Sequence, residues 1–306
     1  MTAHPLREKG EPIMPTTSRR VGFIGLGRMG DAIAGRLLDA GYDLTVWSRS
    51  AGKADALVAR GATLGATPED AIATGTVFSM LSDEKAVRQV FTAERIRSAP
   101  EGFVHVNHAT VSPAAAREFA ANGGGYLSAP VVGRPEAVLA GKLAVLVSGD
   151  ADARAAVAPM LAAIGRRVWD FGDAVDAAPT AKISVNYLII HALQALSESV
   201  TLLQQAGLDA GRFVDMINDS VFPGVVYRGY GDAIATGTYT PPGFTTTLGL
   251  KDLDLALGTA GELGVELPTG PALRDVFATA VEQIGADLDW SSIAEVTRRR
   301  SGGGLR

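Results

Sequence analysis

Short runs of apolar residues alternate with amphipathic stretches through the first half of the chain. The runs are bounded by polar residues and glycines, so they indicate buried strands at residues 21–24, 44–47, 77–81, 104–107 and 142–148. Strands that alternate with helices predict βαβ units and a parallel sheet covered on both faces. Two of the helices between these strands are predicted at residues 29–40 and 53–60, each followed by a glycine suited to a helix C-cap.

The pattern changes after about residue 179, where helical periodicity continues without a strand signal. Asp209 is a suitable N-cap between the first two of these helices. We therefore predict an α/β domain followed by an all-α domain, joined by a long helix. The helices are predicted at residues 181–207, 211–218, 251–263, 272–284 and 292–300. The predicted divisions are a disordered leader at 1–19, the α/β domain at 20–180 and the helical domain at 181–306.

Composition argues against several classes of protein. The 306 residues carry a formal net charge of −5, whereas nucleic-acid-binding domains usually have an excess of lysine and arginine. Cysteine is absent, which excludes disulfides and thiolate metal sites and is typical of a reducing, cytoplasmic location. No apolar run is long enough to span a membrane. The arginines at 298–300 are expected to form a solvated helix end.

A glycine-rich motif connects the first predicted strand to the first predicted helix. Its residues are Gly25, Leu26, Gly27, Arg28, Met29 and Gly30, a G-x-G-x-x-G. In this context the glycines allow a tight turn, close approach of a pyrophosphate and close packing of helix on strand, and the helix N-terminus attracts the phosphates. The motif predicts a Rossmann dinucleotide-binding domain, with a glycine-rich turn that binds no ligand as the alternative.

The end of the second predicted strand indicates which dinucleotide binds. NAD-dependent enzymes usually place a carboxylate there to bind the ribose 2′-hydroxyl. This chain has Ser48, Arg49 and Ser50 instead, and Arg49 suits a 2′-phosphate, with further charge available from Lys53 and Arg28. We therefore predict NADP as the cofactor. The alternative is that Arg49 is an ordinary surface arginine and that the specificity is loose.

Hydride transfer to a carbonyl or imine requires a proton donor near the accepting atom. Lys182 and Asn186 lie four residues apart on the long helix and share one face. Spacing alone favours a salt-bridging lysine over a catalytic one. His108, Asn107 and Thr110 follow a predicted strand at the edge that faces the ligand crevice, whereas His105 alternates with core valines and is expected to be structural. The histidines show no metal-ligand spacing.

Taken together, these segments resemble the β-hydroxyacid dehydrogenase family, which includes 3-hydroxyisobutyrate dehydrogenases, glyoxylate/succinic semialdehyde reductases and, more distantly, imine reductases. The resemblance covers nearly the whole chain from residue 21 to about 301. Besides the glycine motif, it is carried by Ala109-Thr110-Val111-Ser112-Pro113, Ser128-Ala129-Pro130-Val131-Val132-Gly133, Lys182 with Asn186, and Lys251-Asp252-Leu253.

The resemblance implies a role for each motif. Lys182 would protonate the substrate oxygen and Asn186 would hold the substrate. Thr110, Lys251 and Leu81 would contact the cofactor. The loop of Val132, Gly133 and Arg134 would bind the substrate. The helical domain would be like the C-terminal domain of 6-phosphogluconate dehydrogenase and would form homodimers or homotetramers.

The chain also departs from the family pattern in the predicted substrate loop. Val132 and Arg134 replace small or polar residues, and the run from Gly133 to Ala137 is closer to imine reductases, which generally lack the lysine that this chain has at 182. The leading hypothesis is hydride transfer between NADP(H) and a small hydroxy acid or its aldehyde or keto form. An imine reductase acting on cyclic imines and a non-catalytic NADP-binding regulator are the alternatives.

Overall fold

The computed structural model describes residues 19–50 and 52–302, so the predicted leader lies outside the described residues except for Arg19. An α/β domain precedes a helical domain, which confirms the predicted fold class. The strands are β1 (Arg20–Ile24), β2 (Asp43–Trp47), β3 (Thr63–Leu64), β4 (Thr76–Ser79), β5 (Val104–Asn107), β6 (Gly125–Ser128), β7 (Val131–Val132), β8 (Ala144–Gly149) and β9 (Arg167–Asp170). The helices of this domain are α1 (Arg28–Asp39), α2 (Asp55–Ala59), α3 (Pro68–Ile72), α4 (Glu84–Val90), α5 (Ala93–Arg97), α6 (Pro113–Ala121), α7 (Pro135–Leu139) and α8 (Ala151–Ile164).

The strands form one sheet in the order β3-β2-β1-β4-β5-β6-β8-β7, with β9 also paired to β8. Strands β1 to β6 pair in parallel, so the carboxyl ends of β1, β4, β5 and β6 lie along one edge. Ligands of open α/β sheets bind at this edge, beside the point where the strand order reverses. In this sheet the reversal lies between β1 and β4, next to the glycine-rich turn.

The alternating pattern predicts a parallel sheet, but the observed sheet is mixed. Strand β8 runs antiparallel to β6 and β7. The connection from β6 to β8 contains only the short strand β7 and helix α7. After this short connection the chain runs in the opposite direction, so β8 is antiparallel to β6. The pattern also missed β3, β6, β7 and β9. Strands β3 and β7 have only two residues each, β6 contains only two large apolar residues, Tyr126 and Leu127, and β9 is largely exposed.

The helical domain contains α9 (Ala177–Gln205), α10 (Ala210–Ser220), α11 (Val225–Thr236), α12 (Thr246–Glu262), α13 (Gly270–Ala280) and α14 (Ala294–Arg300), with a π-helical turn at Val281–Gly285 and a 3₁₀ turn at Trp290–Ile293. Helix α9 begins earlier than predicted because Pro179 lies in its first turn, where no intrahelical N–H bond is lost. Asp209 caps α10 by accepting a bond from the Arg212 backbone N–H at 3.1 Å, as predicted. The sequence pattern missed α11.

Each domain has its own core. Phe23, Phe78 and Leu127 are fully buried between the sheet and its helices, whereas Phe277 and Trp290 lie in the core of the helical domain. His105 is structural, as predicted, because it stacks on Phe91 inside the first domain. Across residues 19–50 and 52–302, no helix has the length and apolarity needed to cross a bilayer.

Arg298 corrects the expectation of a solvated helix end. Its side chain is buried, and its guanidinium donates to Glu295, to the Tyr239 hydroxyl at 2.9 Å and to Gln204 at 3.1 Å. A buried guanidinium is stable only when its donors are paired in this way. Arg298 therefore fastens α14 to α9 and α11, since it also donates to the carbonyl oxygen of Ile234.

Candidate active site

The glycine-rich turn between β1 and α1 is shaped by close contacts. Gly25 has a φ of +97°, and a Cβ there would lie 2.4 Å from the Met80 carbonyl oxygen. A Cβ on Gly30 would lie 1.9 Å from the Gly25 carbonyl oxygen, so α1 packs directly on the turn. Gly27 is different, because a Cβ there would meet nothing within 4 Å. Its exposed backbone at the start of α1 leaves room for a pyrophosphate beside the unpaired N–H groups of the first turn.

The residues predicted to hold the adenosine 2′-phosphate follow β2. Arg49, Ser50 and Lys53 are exposed and Ser48 is partly exposed. Within residues 19–50 and 52–302, neither Arg49 nor Lys53 forms an ion pair with a carboxylate. Their charges are therefore free for an anionic ligand.

Arg28, the other residue predicted to add charge near the 2′-phosphate, already has partners within the protein. Its guanidinium donates to the Pro242 carbonyl oxygen of the helical domain and pairs with Glu136 at 3.3 Å. Arg28 thus links the start of α1 to α7 and to the loop before α12. As the first residue of α1, Arg28 directly follows Gly27 of the glycine-rich turn.

Lys182 and Asn186 meet as their spacing predicts, and a third residue joins them. The Lys182 Nζ donates to the Asn186 Oδ1 at 2.9 Å, and the Asn186 Nδ2 donates to the Asp252 Oδ2. The other carboxylate oxygen of Asp252 pairs with the Lys251 Nζ at 2.9 Å. In the sequence, Asp252 stands out only as part of the motif Lys251-Asp252-Leu253. Its role depends on α9 and α12 packing together, which the sequence does not show.

This cluster holds Lys182 in an unusual electrostatic environment. Burial is the main cause that lowers the pKa of Lys182, with Lys251 acting in the same direction and Asp252 opposing both, and the resulting pKa is about 8. An ammonium with a pKa near neutrality can both donate and accept a proton under ordinary conditions. The cluster is therefore suited to general acid–base chemistry.

The cluster also reaches across to the first domain. The Lys251 Nζ donates to the Thr110 carbonyl oxygen at 3.2 Å, and Thr110 is partly exposed in the loop after β5. Leu81, in the loop after β4, is also partly exposed. A cleft of about 260 Å³ at this seam is lined by Thr110, Lys251 and Leu255 together with residues in α4 and just before it, Asp83, Glu84, Lys85 and Arg88. Thr110 and Leu81 therefore lie in loops at the carboxyl edge of the sheet, and Lys251 of α12 contacts the first of them.

Two other residues of the β5 loop do not line this seam. His108 is fully buried, its Nδ1 is 2.5 Å from the Ala129 carbonyl oxygen, and burial lowers its pKa to about 4. Asn107, the last residue of β5, is also buried, and its side-chain amide bonds to Ser79, Tyr126 and the Ala109 backbone N–H. Of the candidates after β5, only Thr110 faces the seam.

The predicted substrate loop combines a glycine in a glycine-specific conformation with an arginine packed against the helical domain. Gly133 has a φ of +146°, a conformation that side-chain-bearing residues rarely adopt. The guanidinium carbon of Arg134 lies 4.3 Å from the centre of the Tyr230 ring, and the Arg134 Nε is 3.0 Å from where a Cβ on Gly243 would stand. Arg134 therefore packs against the helical domain, and Val132 is partly exposed beside it. No group of residues suited to a metal ion is present among those described.

Two family models match consecutive parts of the chain. Residues 20–172 match the NAD binding domain of 6-phosphogluconate dehydrogenase. Residues 177–297 match the model described as the NAD-binding domain of NADP-dependent 3-hydroxyisobutyrate dehydrogenase. The junction between the two models falls at the start of α9, which is also where the α/β part of the fold ends.

Similar proteins span almost the whole chain. An uncharacterized oxidoreductase of Bacillus subtilis, YfjR, is 35% identical and covers 90% of this chain and 98% of its own. Glyoxylate/succinic semialdehyde reductase 1 of Arabidopsis thaliana is 28% identical, covering 91% of this chain and 98% of its own.

Solved structures show the same architecture. The 3-hydroxyisobutyrate dehydrogenase of Salmonella typhimurium superposes with a TM-score of 0.83 at 25% identity, covering 90% of this chain and 99% of its own. A reductive aminase of Aspergillus terreus, in complex with NADPH and ethyl levulinate, gives a TM-score of 0.60 at 27% identity, covering 92% of this chain and all of its own. Together with the family models, these matches show that the chain belongs to the β-hydroxyacid dehydrogenase family of oxidoreductases.

Proposed function

We propose that this enzyme transfers a hydride between NADP(H) and a small hydroxy acid or its aldehyde or keto form. The observation that carries the proposal is the bonded cluster of Lys182, Asn186 and Asp252 at the seam between the domains. Its lysine has a pKa of about 8, which suits proton transfer to a carbonyl oxygen near neutral pH.

The binding roles follow from where the residues lie. The turn from Gly25 to Gly30 would receive the pyrophosphate, and Ser48, Arg49, Ser50 and Lys53 would surround the 2′-phosphate. Leu81, Thr110 and Lys251 would hold the nicotinamide end at the seam. NADPH supplies the hydride when bound. The loop of Val132, Gly133 and Arg134 would complete the substrate site.

Lys182 then acts on the substrate oxygen. In the reductive direction its ammonium donates a proton to the carbonyl oxygen while the carbonyl carbon receives the hydride, and the product is an alcohol. Asn186 accepts one of the three ammonium protons, which leaves the others free to meet the substrate. In the oxidative direction the neutral amine accepts the hydroxyl proton.

The direct test is oxidation of NADPH in the presence of glyoxylate, succinic semialdehyde and 2-hydroxy-3-oxopropionate, followed by absorbance. We expect turnover of at least one of them, with a lower KM for NADPH than for NADH. A lower KM for NADH would refute the NADP assignment. Tight NADPH binding without turnover of any carbonyl or imine would favour the non-catalytic regulator instead.

Reduction of cyclic imines is the second candidate. It is favoured by the similarity to a reductive aminase and by the replacement of polar groups with Val132 in the substrate loop. The presence of Lys182 favours the carbonyl substrate, because a protonated imine already carries the proton that a lysine would supply. A panel of cyclic imines assayed beside the oxo acids separates the two: faster turnover of the imines would reverse the order.

The helical domain also suggests the state of assembly. It exposes large apolar side chains that a second copy of the chain could cover, among them Leu188, Leu202, Met216, Val221 and Val225. We propose a homodimer or homotetramer formed through this domain, and a cytoplasmic enzyme. Light scattering of the purified protein tests the first statement, with a monomer as the contradicting result, and cell fractionation tests the second.

A further inference from the structure

Asn107 lies at the carboxyl end of β5 and is almost fully buried. Its Oδ1 accepts bonds from the Ser79 hydroxyl at 3.2 Å and from the Ala109 backbone N–H at 3.1 Å. Its Nδ2 donates to the Tyr126 hydroxyl at 2.9 Å. Ser79 ends β4 and Tyr126 lies in β6, so one side-chain amide connects three neighbouring strands.

Each of these strands leads into a loop that the proposed function uses. Strand β4 continues to Leu81, β5 to Thr110, and β6 to the loop that contains Val132 and Gly133. The connection through β5 is the most direct, because Asn107 holds the backbone N–H of the residue before Thr110. The Thr110 carbonyl oxygen in turn accepts from Lys251 at 3.2 Å, which lies beside Asp252 and the Lys182 cluster.

We propose that Asn107 is a positioning residue for hydride transfer. Its side-chain amide fixes the positions, relative to one another, of the loops that hold the nicotinamide and the substrate. This inference rests on the proposed function. It assigns Asn107 no contact with either ligand. Misplacement of reacting groups by about 1 Å can lower a rate by about 100-fold, so a buried connector at this point has a large effect through small shifts.

The hydrogen-bond pattern explains why an amide suits this position. Ser79 has one hydroxyl proton and gives it to Asn107, so its oxygen must accept the proton of His105 Nε2, 2.8 Å away. Burial lowers the pKa of His105 to about 3 and raises the pKa of Tyr126 to about 12, so both stay neutral. The network therefore needs one group that both accepts and donates, which Asn supplies and an apolar residue does not.

The test compares Asn107→Ala with a matched control, Thr74→Ala. The Thr74 hydroxyl is also buried in this domain, and it donates to the Ala71 carbonyl oxygen at 2.7 Å, but it lies before β4, away from the carboxyl edge. Both variants should lose thermal stability. Only Asn107→Ala should lower kcat, by about 10- to 100-fold, with a larger isotope effect from deuterated NADPH and little change in the KM for NADPH.

A second readout needs no turnover. The emission of bound NADPH reports on the surroundings of the nicotinamide, whereas 2′-phospho-ADP-ribose, used as a competitor, reports on the rest of the site. Asn107→Ala should lose the enhanced emission and bind the competitor as the wild type does. If the wild type reduces no carbonyl but this difference is present, the proposed function fails and the positioning role stands.

Two further variants keep the proposal testable if Asn107→Ala does not fold. Burial without a cationic partner favours the protonated carboxyl in Asn107→Asp, which accepts through its carbonyl oxygen and donates through its hydroxyl as the amide does, so kcat should be within about threefold of the wild type. Tyr126→Phe removes one partner and should lower kcat by about three- to tenfold. The proposal is overturned if Asn107→Ala and Tyr126→Phe change kcat and NADPH emission no more than Thr74→Ala does, or if only the affinity for 2′-phospho-ADP-ribose falls.

Discussion

The two ends of the proposed cofactor site are built differently. The adenosine end consists of exposed side chains, Arg49 and Lys53, that form no ion pair within the described part of the chain. The nicotinamide end is a bonded cluster in which Lys182, Asn186, Asp252 and Lys251 join two helices and reach the first domain through Thr110. Exposed charges can select an anionic ligand at little cost to folding, whereas the buried cluster determines the pKa of Lys182.

This difference predicts how each end tolerates change. An exposed side chain can be replaced with little effect on its neighbours, so its loss should alter cofactor affinity alone. A group in a bonded cluster cannot be removed without leaving a partner unpaired, so its loss should alter the chemistry and the pH dependence.

Removal of the lysine should have the largest effect. We expect Lys182→Ala to lower kcat by about 1,000-fold, because general acid catalysis typically contributes about 100- to 10,000-fold. NADPH binding, measured by fluorescence, should be within about twofold of the wild type, since the proposed partner of Lys182 is the substrate oxygen and not the cofactor. Lys142→Ala, which removes an exposed lysine of the first domain, serves as the control. Equal activity in the two variants would contradict the assigned role.

Loss of the Asp252 charge should shift the pH profile. Asp252 raises the pKa of Lys182 against the effect of burial, so Asp252→Asn should lower that pKa below about 8. In the proposed mechanism the acid for reduction is the protonated lysine, and the fall of kcat at alkaline pH should therefore move to lower pH in the variant. At a pH near the wild-type pKa we expect kcat to drop by about tenfold.

Asp254→Asn is a matched control for this prediction. Asp254 lies on the same helix, is exposed, and pairs with Arg274 at 2.7 Å. Its replacement should leave the pH profile unchanged. An alkaline limb that stays in place in Asp252→Asn would show that Lys182 is not the group that titrates.

The same contrast explains what the sequence can reveal. The glycine turn, the long helix and the spacing of Lys182 and Asn186 are local features, and periodicity and spacing predict them. Asp252 joins the cluster only because α9 and α12 pack together, and no periodicity within either helix reports that contact. The buried role of Arg298 escaped the sequence analysis for the same reason, since its partners lie in other helices.

Short or exposed strands were also out of reach. Strand β3 has two residues, and β9 gains its place in the sheet by pairing with β8 rather than by burial of its own side chains. The polar network around Asn107 depends on the register of β4, β5 and β6, which follows from the whole sheet. Sequence reasoning therefore predicted the glycine turn better than the buried groups that support the seam.

At the adenosine end, Arg49→Ala should change affinity and little else. We expect the KM for NADPH to rise by about tenfold or more, as for the loss of a charge-assisted bond to a phosphate, with kcat within about twofold. The KM for NADH should not change, because NADH has no 2′-phosphate. Arg97→Ala, an exposed arginine on α5, is the control. An equal rise in the KM for NADPH and the KM for NADH would mean that Arg49 contacts a group that both cofactors contain.

The smallest effect should come from Glu136, the partner of Arg28. Both side chains of this pair are more than half exposed, and such pairs contribute little to stability. With a pyrophosphate bound as proposed, however, Glu136 would compete for the Arg28 guanidinium and repel the phosphates. Glu136→Gln should therefore lower the KM for NADPH by about two- to threefold at low salt, with the difference fading as salt screens the charges.

Glu94→Gln removes another exposed carboxylate of this domain and should not alter the KM. A raised KM in Glu136→Gln would mean instead that Glu136 orients Arg28 toward the phosphates. Phosphate binding at the glycine-rich turn would then depend on a side chain that a second residue holds in place, as Asn186 holds Lys182.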